Sequence, residues 1–206
     1  MFIYNLFTHP VYFLRFVAIL AFSISLHELA HGYAALSQGD DTPLQRGHIT
    51  LNPLVHMGWE SLTCLCVTGL AWGQMPVNSA KFRAGGWSNI WVSVAGPLCN
   101  LGLALLFIVA LRLMTTFNLQ GIWSVEFFYL AAQVNLVLFS LNLVPLPPLD
   151  GFHVVSEAFP ALKILEETPL SLFPLVVLLM NPDYMTACSD AAKLTVEVLG
   201  GVKLLP

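Results

Sequence analysis

From Phe16 to Leu36 the chain runs 21 residues with Glu28 as its one acid and no Lys or Arg. As a helix rising about 1.5 Å per residue, that run measures roughly 30 Å, the thickness of a bilayer's hydrocarbon core. Inside it sits His27-Glu28-Leu29-Ala30-His31. Ionisable side chains at membrane depth cost about 2.5–3.5 kcal/mol each on insertion scales, so their presence calls for a functional reason. On a helix, histidines four apart share one face, where two imidazoles can hold a divalent metal while the neighbouring glutamate serves as general base. In a soluble helix the same pattern is more often two packing histidines and a solvated acid. Burial in lipid reverses that balance, because a Glu beside two His in an apolar span is hard to explain without a cation.

The rest of the composition agrees. With 57% hydrophobic and 10% charged residues among 206, the chain reads as an integral membrane protein with little mass outside the lipid bilayer. It has room for one domain, 1–206, with a core over 16–155 and peripheral C-terminal helices over 156–206. The net charge of −4 and the lack of a basic run beyond Lys81 and Arg83 exclude nucleic acid as a partner. Arg15 ahead of an apolar run resembles a signal peptide, but the run carries the motif, so an uncleaved first span is expected. Cys64, Cys66, Cys99 and Cys188 form neither a CxxC pair nor a zinc-ribbon spacing and read as buried thiols.

A second span runs from Trp87 to Leu111, closed by Arg112, and a third from Phe127 to Val144, with Gly121 and Ser124 in the short connection. Between the first and second spans lie a polar loop at Gln38–Gly47 and an alternating run at His48–Leu51. An apolar stretch, Leu54–Trp72, follows, broken by His56, Gly58, Glu60 and Gly69. If Asp150, just after the third span, is to meet the motif, residues 37–86 must leave and return on one face. Leu54–Trp72 is then a re-entrant or interfacial segment, or half of an undetected pair. Arg46, Lys81, Arg83 and Lys163 fall on that face against Arg15 and Arg112 opposite, which predicts a cytoplasmic face and an outside N-terminus. Leu170–Met180 is too short to span, and the amphipathic stretch Ala187–Leu205 follows it. The expected fold is therefore an all-α polytopic membrane protein. It has three core transmembrane helices, a re-entrant or interfacial segment with a short β element, and one or two C-terminal helices.

Two histidines do not complete a catalytic metal site, which usually takes three protein ligands and leaves a position for water. Asp150, His56, His153, Glu60 and the thiols are candidates. Asp150 leads, because Pro145-Leu146-Pro147-Pro148-Leu149-Asp150-Gly151 breaks helix geometry at the end of an apolar span and delivers a carboxylate at membrane depth. His56 comes second. The competing reading of Asp150 is an Asp-Gly turn or a helix N-cap.

These stretches, taken in order, resemble a known family. The histidine motif in an early span, Ala95-Gly96-Pro97-Leu98-Cys99-Asn100 in the next, and Asn142-Leu143-Val144-Pro145 through Gly151 closing the third are similar to the intramembrane site-2 protease metallopeptidases. Gly47-His48-Ile49-Thr50-Leu51-Asn52-Pro53-Leu54, with His56, Pro76-Val77-Asn78 and Phe82-Arg83, resembles the small bacterial members without a PDZ or CBS domain. The resemblance covers residues 16–155. It implies that His27, His31 and Asp150 ligate one Zn2+ per chain and that Glu28 is the catalytic base. It also implies that Asn142 and Asn100 hold the substrate backbone or its oxyanion; His56 is a departure from the family's pattern, read as an accessory polar group near the metal.

The activity so implied is hydrolysis of peptide bonds within or near transmembrane segments, that is, regulated intramembrane proteolysis. The expected substrate is a single-pass transmembrane protein in a bacterial cytoplasmic membrane, cut toward the cytoplasmic side. A substrate helix must unwind before attack, and His48–Leu51 could offer an edge strand to hold it. Two other classes use some of the same residues: a metal-binding membrane transporter or sensor, and a helix-binding scaffold without protease activity. Neither needs a base beside the histidine pair.

Overall fold

The computed structural model describes residues 2–117, 124–165, 168 and 171–202. They form two compact units, Met1–Cys99 and Asn100–Pro206, divided within one long helix. Helices α1 (Pro10–Ser37), α2 (Pro53–Thr68) and α3 (Gly86–Thr116) are followed by α4 (Val125–Asn142), α5 (Asp150–Ala158), α6 (Phe173–Met180) and α7 (Pro182–Gly200). Short helical turns occupy the connections, and no strand forms among the described residues. Helices α1, α3 and α4 are long and apolar enough to cross a membrane. The protein is thus an all-α polytopic membrane protein.

In the first unit, Pro10 opens α1 with its φ already helical and no N–H to waste. The buried positions Leu20, Ile24, His27, His31 and Ala35 recur at three- and four-residue spacing, so the histidine motif lies on the stripe that faces protein. Gly39, at φ 100°, ends the helix, and the Arg83 N–H donates to the Gln38 carbonyl. The chain then leaves α1 and comes back to it. The Asn78 N–H donates to Asp40 Oδ2 at 2.6 Å, Lys81 pairs with Asp41, and the Ser88 hydroxyl donates to Gln38 Oε1. Helix α3 therefore starts where α1 stops and runs antiparallel to it, with Val92 beside His31 and Cys99 beside Leu26.

Residues 54–72, whose crossing the sequence left open, form a departure and a return. Asn52 caps α2 by accepting the Leu54 N–H, and Gly58 interrupts the helix at φ 67°. Gly69, at φ 83°, ends it after 16 residues, about 24 Å, too short and too broken to span on its own. A segment without regular secondary structure, residues 70–78, then runs back along α2, the Gln74 N–H meeting the His56 carbonyl. The β element expected at His48–Leu51 does not form. Local bonds consume its backbone: the His48 N–H goes to Pro43, the Thr50 N–H to His48, and the Thr50 carbonyl accepts from His56.

The second unit is built on Ala104, Ile108 and Leu111 of α3, Tyr129, Ala132 and Leu136 of α4, and Ala192 and Val196 of α7. Alanines on all three helices allow close approach without large side chains. Helix α7, expected at the periphery, therefore supplies core, and Asn181 caps its start by accepting the Asp183 and Tyr184 N–H groups. Helix α3 continues past Arg112, where the second span was expected to close. The Arg112 side chain lies against Gly201, the left-handed residue ending α7, where free carbonyls favour a cation. Helix α4 begins two residues before Phe127 and ends two before Val144. Gly121 lies outside the described residues, as do the expected tail positions Leu170 and 203–206.

Candidate metal centre

Helix α1 places His27 and His31 one turn apart and Glu28 beside them, and all three are buried. The two Nε2 atoms approach to 3.0 Å. His31 Nδ1 lies 2.7 Å from the Val92 carbonyl of α3, which can only accept, so Nδ1 carries the proton and Nε2 presents its lone pair on the side of His27. A carbonyl behind the ring nitrogen that does not face a metal is the usual means of fixing a ligand histidine's tautomer.

The pair fits zinc. Two nitrogens bound tetrahedrally at about 2.0–2.1 Å lie roughly 3.3 Å apart, and these stand 0.3 Å closer than that. The space beside them is kept by a missing side chain. A Cβ on Gly96 would lie 2.5 and 2.6 Å from Cε1 and Nε2 of His27 and would run into His31 Nε2. Any other residue at 96 would fill the position between the two nitrogens. Gly73, in the return segment, does the same for Glu28: its Cβ would fall 2.6 Å from Cγ and 2.8 Å from Cδ, and onto Oε1. Gly73 was not singled out from sequence and Gly96 was quoted without a role, because a close approach between distant segments leaves no local pattern.

Within the second unit, Asp150 is the first residue of α5, with Leu149 as the N-cap, so the N-cap reading of Asp150 does not hold. It follows a tight turn through the cis Pro147–Pro148 bond. Gly151 lets that turn close, since a Cβ there would lie 2.8 Å from the Val144 carbonyl oxygen and collide with the Leu143 carbonyl. Asn142 is half-buried and its Nδ2 donates to the Leu138 carbonyl, 3.0 Å away. Asn100 and Asn135 are fully buried, and Asn135 Nδ2 likewise donates within its helix, to Ala131.

His56, buried on α2, spends Nε2–H on the Thr50 carbonyl at 2.7 Å. That bond makes it a support for the loop preceding α2. Glu60 is exposed, and all four cysteines are free thiols outside any metal-binding group among the described residues.

The comparisons with known proteins agree with this chemistry. The family model described as peptidase family M50 matches residues 118–179. YwhC of Bacillus subtilis (strain 168), which carries the name of a zinc metalloprotease, is 36% identical over 159 residues, covering 74% of this chain and 73% of its own. Rip2 of Mycobacterium tuberculosis (strain ATCC 25618 / H37Rv), named likewise, is 31% identical over 178 residues, 80% of this chain and 66% of its own. Rip2 of Mycolicibacterium smegmatis is 31% identical over 183 residues, 82% and 68% respectively. No solved structure matches. With a relative of that identity spanning nearly three quarters of both chains, this chain belongs to peptidase family M50, the site-2 proteases, and is an intramembrane zinc metalloprotease.

Proposed function

We propose that His27, His31 and Asp150 hold the zinc ion, that Glu28 is the general base, and that the substrate is a single-pass transmembrane protein. The observation that carries the reading is the 3.0 Å Nε2 pair with one tautomer fixed by Val92 and Glu28 buried beside it. This reading takes two imidazoles from α1 and the carboxylate of Asp150, the first residue of α5. Two imidazoles and a carboxylate leave the fourth tetrahedral position for water, as catalytic sites require.

Zinc in that position would supply Lewis acidity, lowering the pKa of a water toward about 7 and polarising the scissile carbonyl. Glu28 takes the proton from the attacking water as its oxygen bonds to the carbonyl carbon, and delivers that proton to the departing amide nitrogen. Val92 holds His31 in the tautomer that keeps Nε2 available. Asn142 and Asn100 orient the substrate backbone; with one Nδ2 proton of Asn142 committed to Leu138, its carboxamide oxygen is suited to accept a substrate N–H.

The site opens toward the cytoplasmic face of a bacterial membrane. The support is the excess of Arg46, Lys81, Arg83 and Lys163 over Arg15 and Arg112, together with bacterial relatives. A transporter or scaffold would have no use for Glu28 at this depth.

The test is cleavage of a single-span reporter in liposomes by the wild type and Glu28→Gln at equal zinc content. Loss of a positioned general base is worth about 10²–10⁴ in rate, so product should come from the wild type alone. Equal cleavage by both would remove Glu28 from the mechanism. Cleavage of a soluble loop in preference to the span would remove the substrate class.

A further inference from the structure

We propose that Ser61 is a positioning residue for Glu28, acting through the backbone of Trp72 and Gly73. The inference rests on the reading of Glu28 as general base. Ser61 lies on α2 and is fully buried. Its hydroxyl donates to the Trp72 carbonyl at 2.6 Å and accepts the Trp72 N–H at 2.9 Å. One side-chain oxygen thereby satisfies both polar backbone groups of a residue that no strand pairs among the described residues.

The next residue is Gly73, whose backbone passes against the Glu28 carboxylate so closely that a Cβ there would lie 2.6 Å from Glu28 Cγ. The return segment is held at three points: Trp72 by Ser61, Gln74 by the His56 carbonyl and Asn78 by Asp40. Only the first is a side-chain clip directly adjoining the residue that walls Glu28. Without the hydroxyl, the N–H and carbonyl of Trp72 lose the partner that satisfies both at a part-buried position, at a cost that favours moving the segment until both are satisfied again. That movement takes the wall from Glu28 and lets its carboxylate leave the orientation from which it takes a proton. The histidine pair on α1, with Val92 behind it, depends on none of these bonds.

Ser61→Ala removes the clip, and Ser61→Cys keeps the volume while replacing the hydroxyl with a weak, longer donor. Each is purified with Glu28→Gln and the wild type, and zinc stoichiometry, kcat and KM are measured on a single-span reporter. Both Ser61 variants should retain zinc and hold KM within about twofold, while kcat falls about tenfold, the effect of one net hydrogen bond on a barrier. A kcat at the wild-type level in Ser61→Cys or Ser61→Ala overturns the proposal. So does a fall in activity fully accounted for by lost zinc or raised KM, since that is what a merely structural serine would give. If Glu28→Gln itself cleaves at the wild-type rate, the base assignment fails and this inference falls with it; if Glu28→Gln is inactive and the Ser61 variants are not impaired, only this inference fails.

Discussion

Gly96→Ala is the sharpest probe of the metal centre, because one methyl group is set against one ion. In the native backbone the new Cβ would lie 2.5 Å from His27 Cε1 and 2.6 Å from its Nε2. Ordinary van der Waals contact begins at 3.4 Å, so α3 must retreat from α1 by about 1 Å or both imidazoles must turn. A retreat of that size stretches the 2.7 Å bond from His31 Nδ1 to Val92, one turn away on the same helix, to about 3.7 Å, beyond hydrogen-bond range. Losing the partner of a ligand histidine typically costs 10–100-fold in metal affinity, or about 1.4–2.8 kcal/mol, before any direct competition between methyl and ion. The assay is competition for zinc between the purified protein and a chelator of known affinity, with bound metal measured by mass spectrometry. Zinc affinity should fall at least tenfold and cleavage should fall with it. Wild-type affinity with full helicity would refute the reasoning, because it would mean the space beside Gly96 is not where the ion sits.

Gly151→Ala should lower thermal stability and zinc content together, since its Cβ meets the backbone carbonyls of Leu143 and Val144, which cannot swing away as a side chain could; a circular-dichroism melt with metal analysis checks this, and an unchanged melt would sink it. Asp40, after the first span, is pulled two ways. Burial pushes its carboxyl up, but the Asn78 and Thr42 N–H groups and the Lys81 charge outweigh that and hold it below its ordinary 3.8. A depressed carboxylate stabilises the fold fully above its ordinary value and loses that contribution as pH falls through the folded one. Proteolysis of residues 38–83 should therefore rise in the wild type only below about pH 4, whereas Asp40→Asn should be cut readily at neutral pH too; equal resistance of the two at pH 7 would show that Asp40 does not hold Asn78.

Legibility in the sequence followed the range of the interactions. The spans could be read because lipid demands a long apolar run, and the His27–His31 pair because a helix repeats every 3.6 residues whatever surrounds it. The starts of α2 and α4 were written in Asn52-Pro53 and Ser124, side chains that bond backbone two or three residues away. Asp150 was legible as a carboxylate after a broken helix, though not as the first residue of α5 in preference to its cap.

Where contacts join distant segments, the sequence carried no mark. Leu54–Trp72 could not be told from a span until Gly58 broke α2 and the return segment bonded back to His56 and Ser61. The alternating run His48–Leu51 had strand periodicity but no partner strand, and local bonds took its backbone instead. Val92 is 61 residues from the histidine whose tautomer it sets. Gly73 and Gly96 matter for what they omit beside Glu28 and the imidazoles. The local code thus determined the three long spans and the chemistry they carry. Only packing decided how near the backbone comes to that chemistry, because the distance between segments far apart in the chain is set by side chains on both and encoded in neither alone.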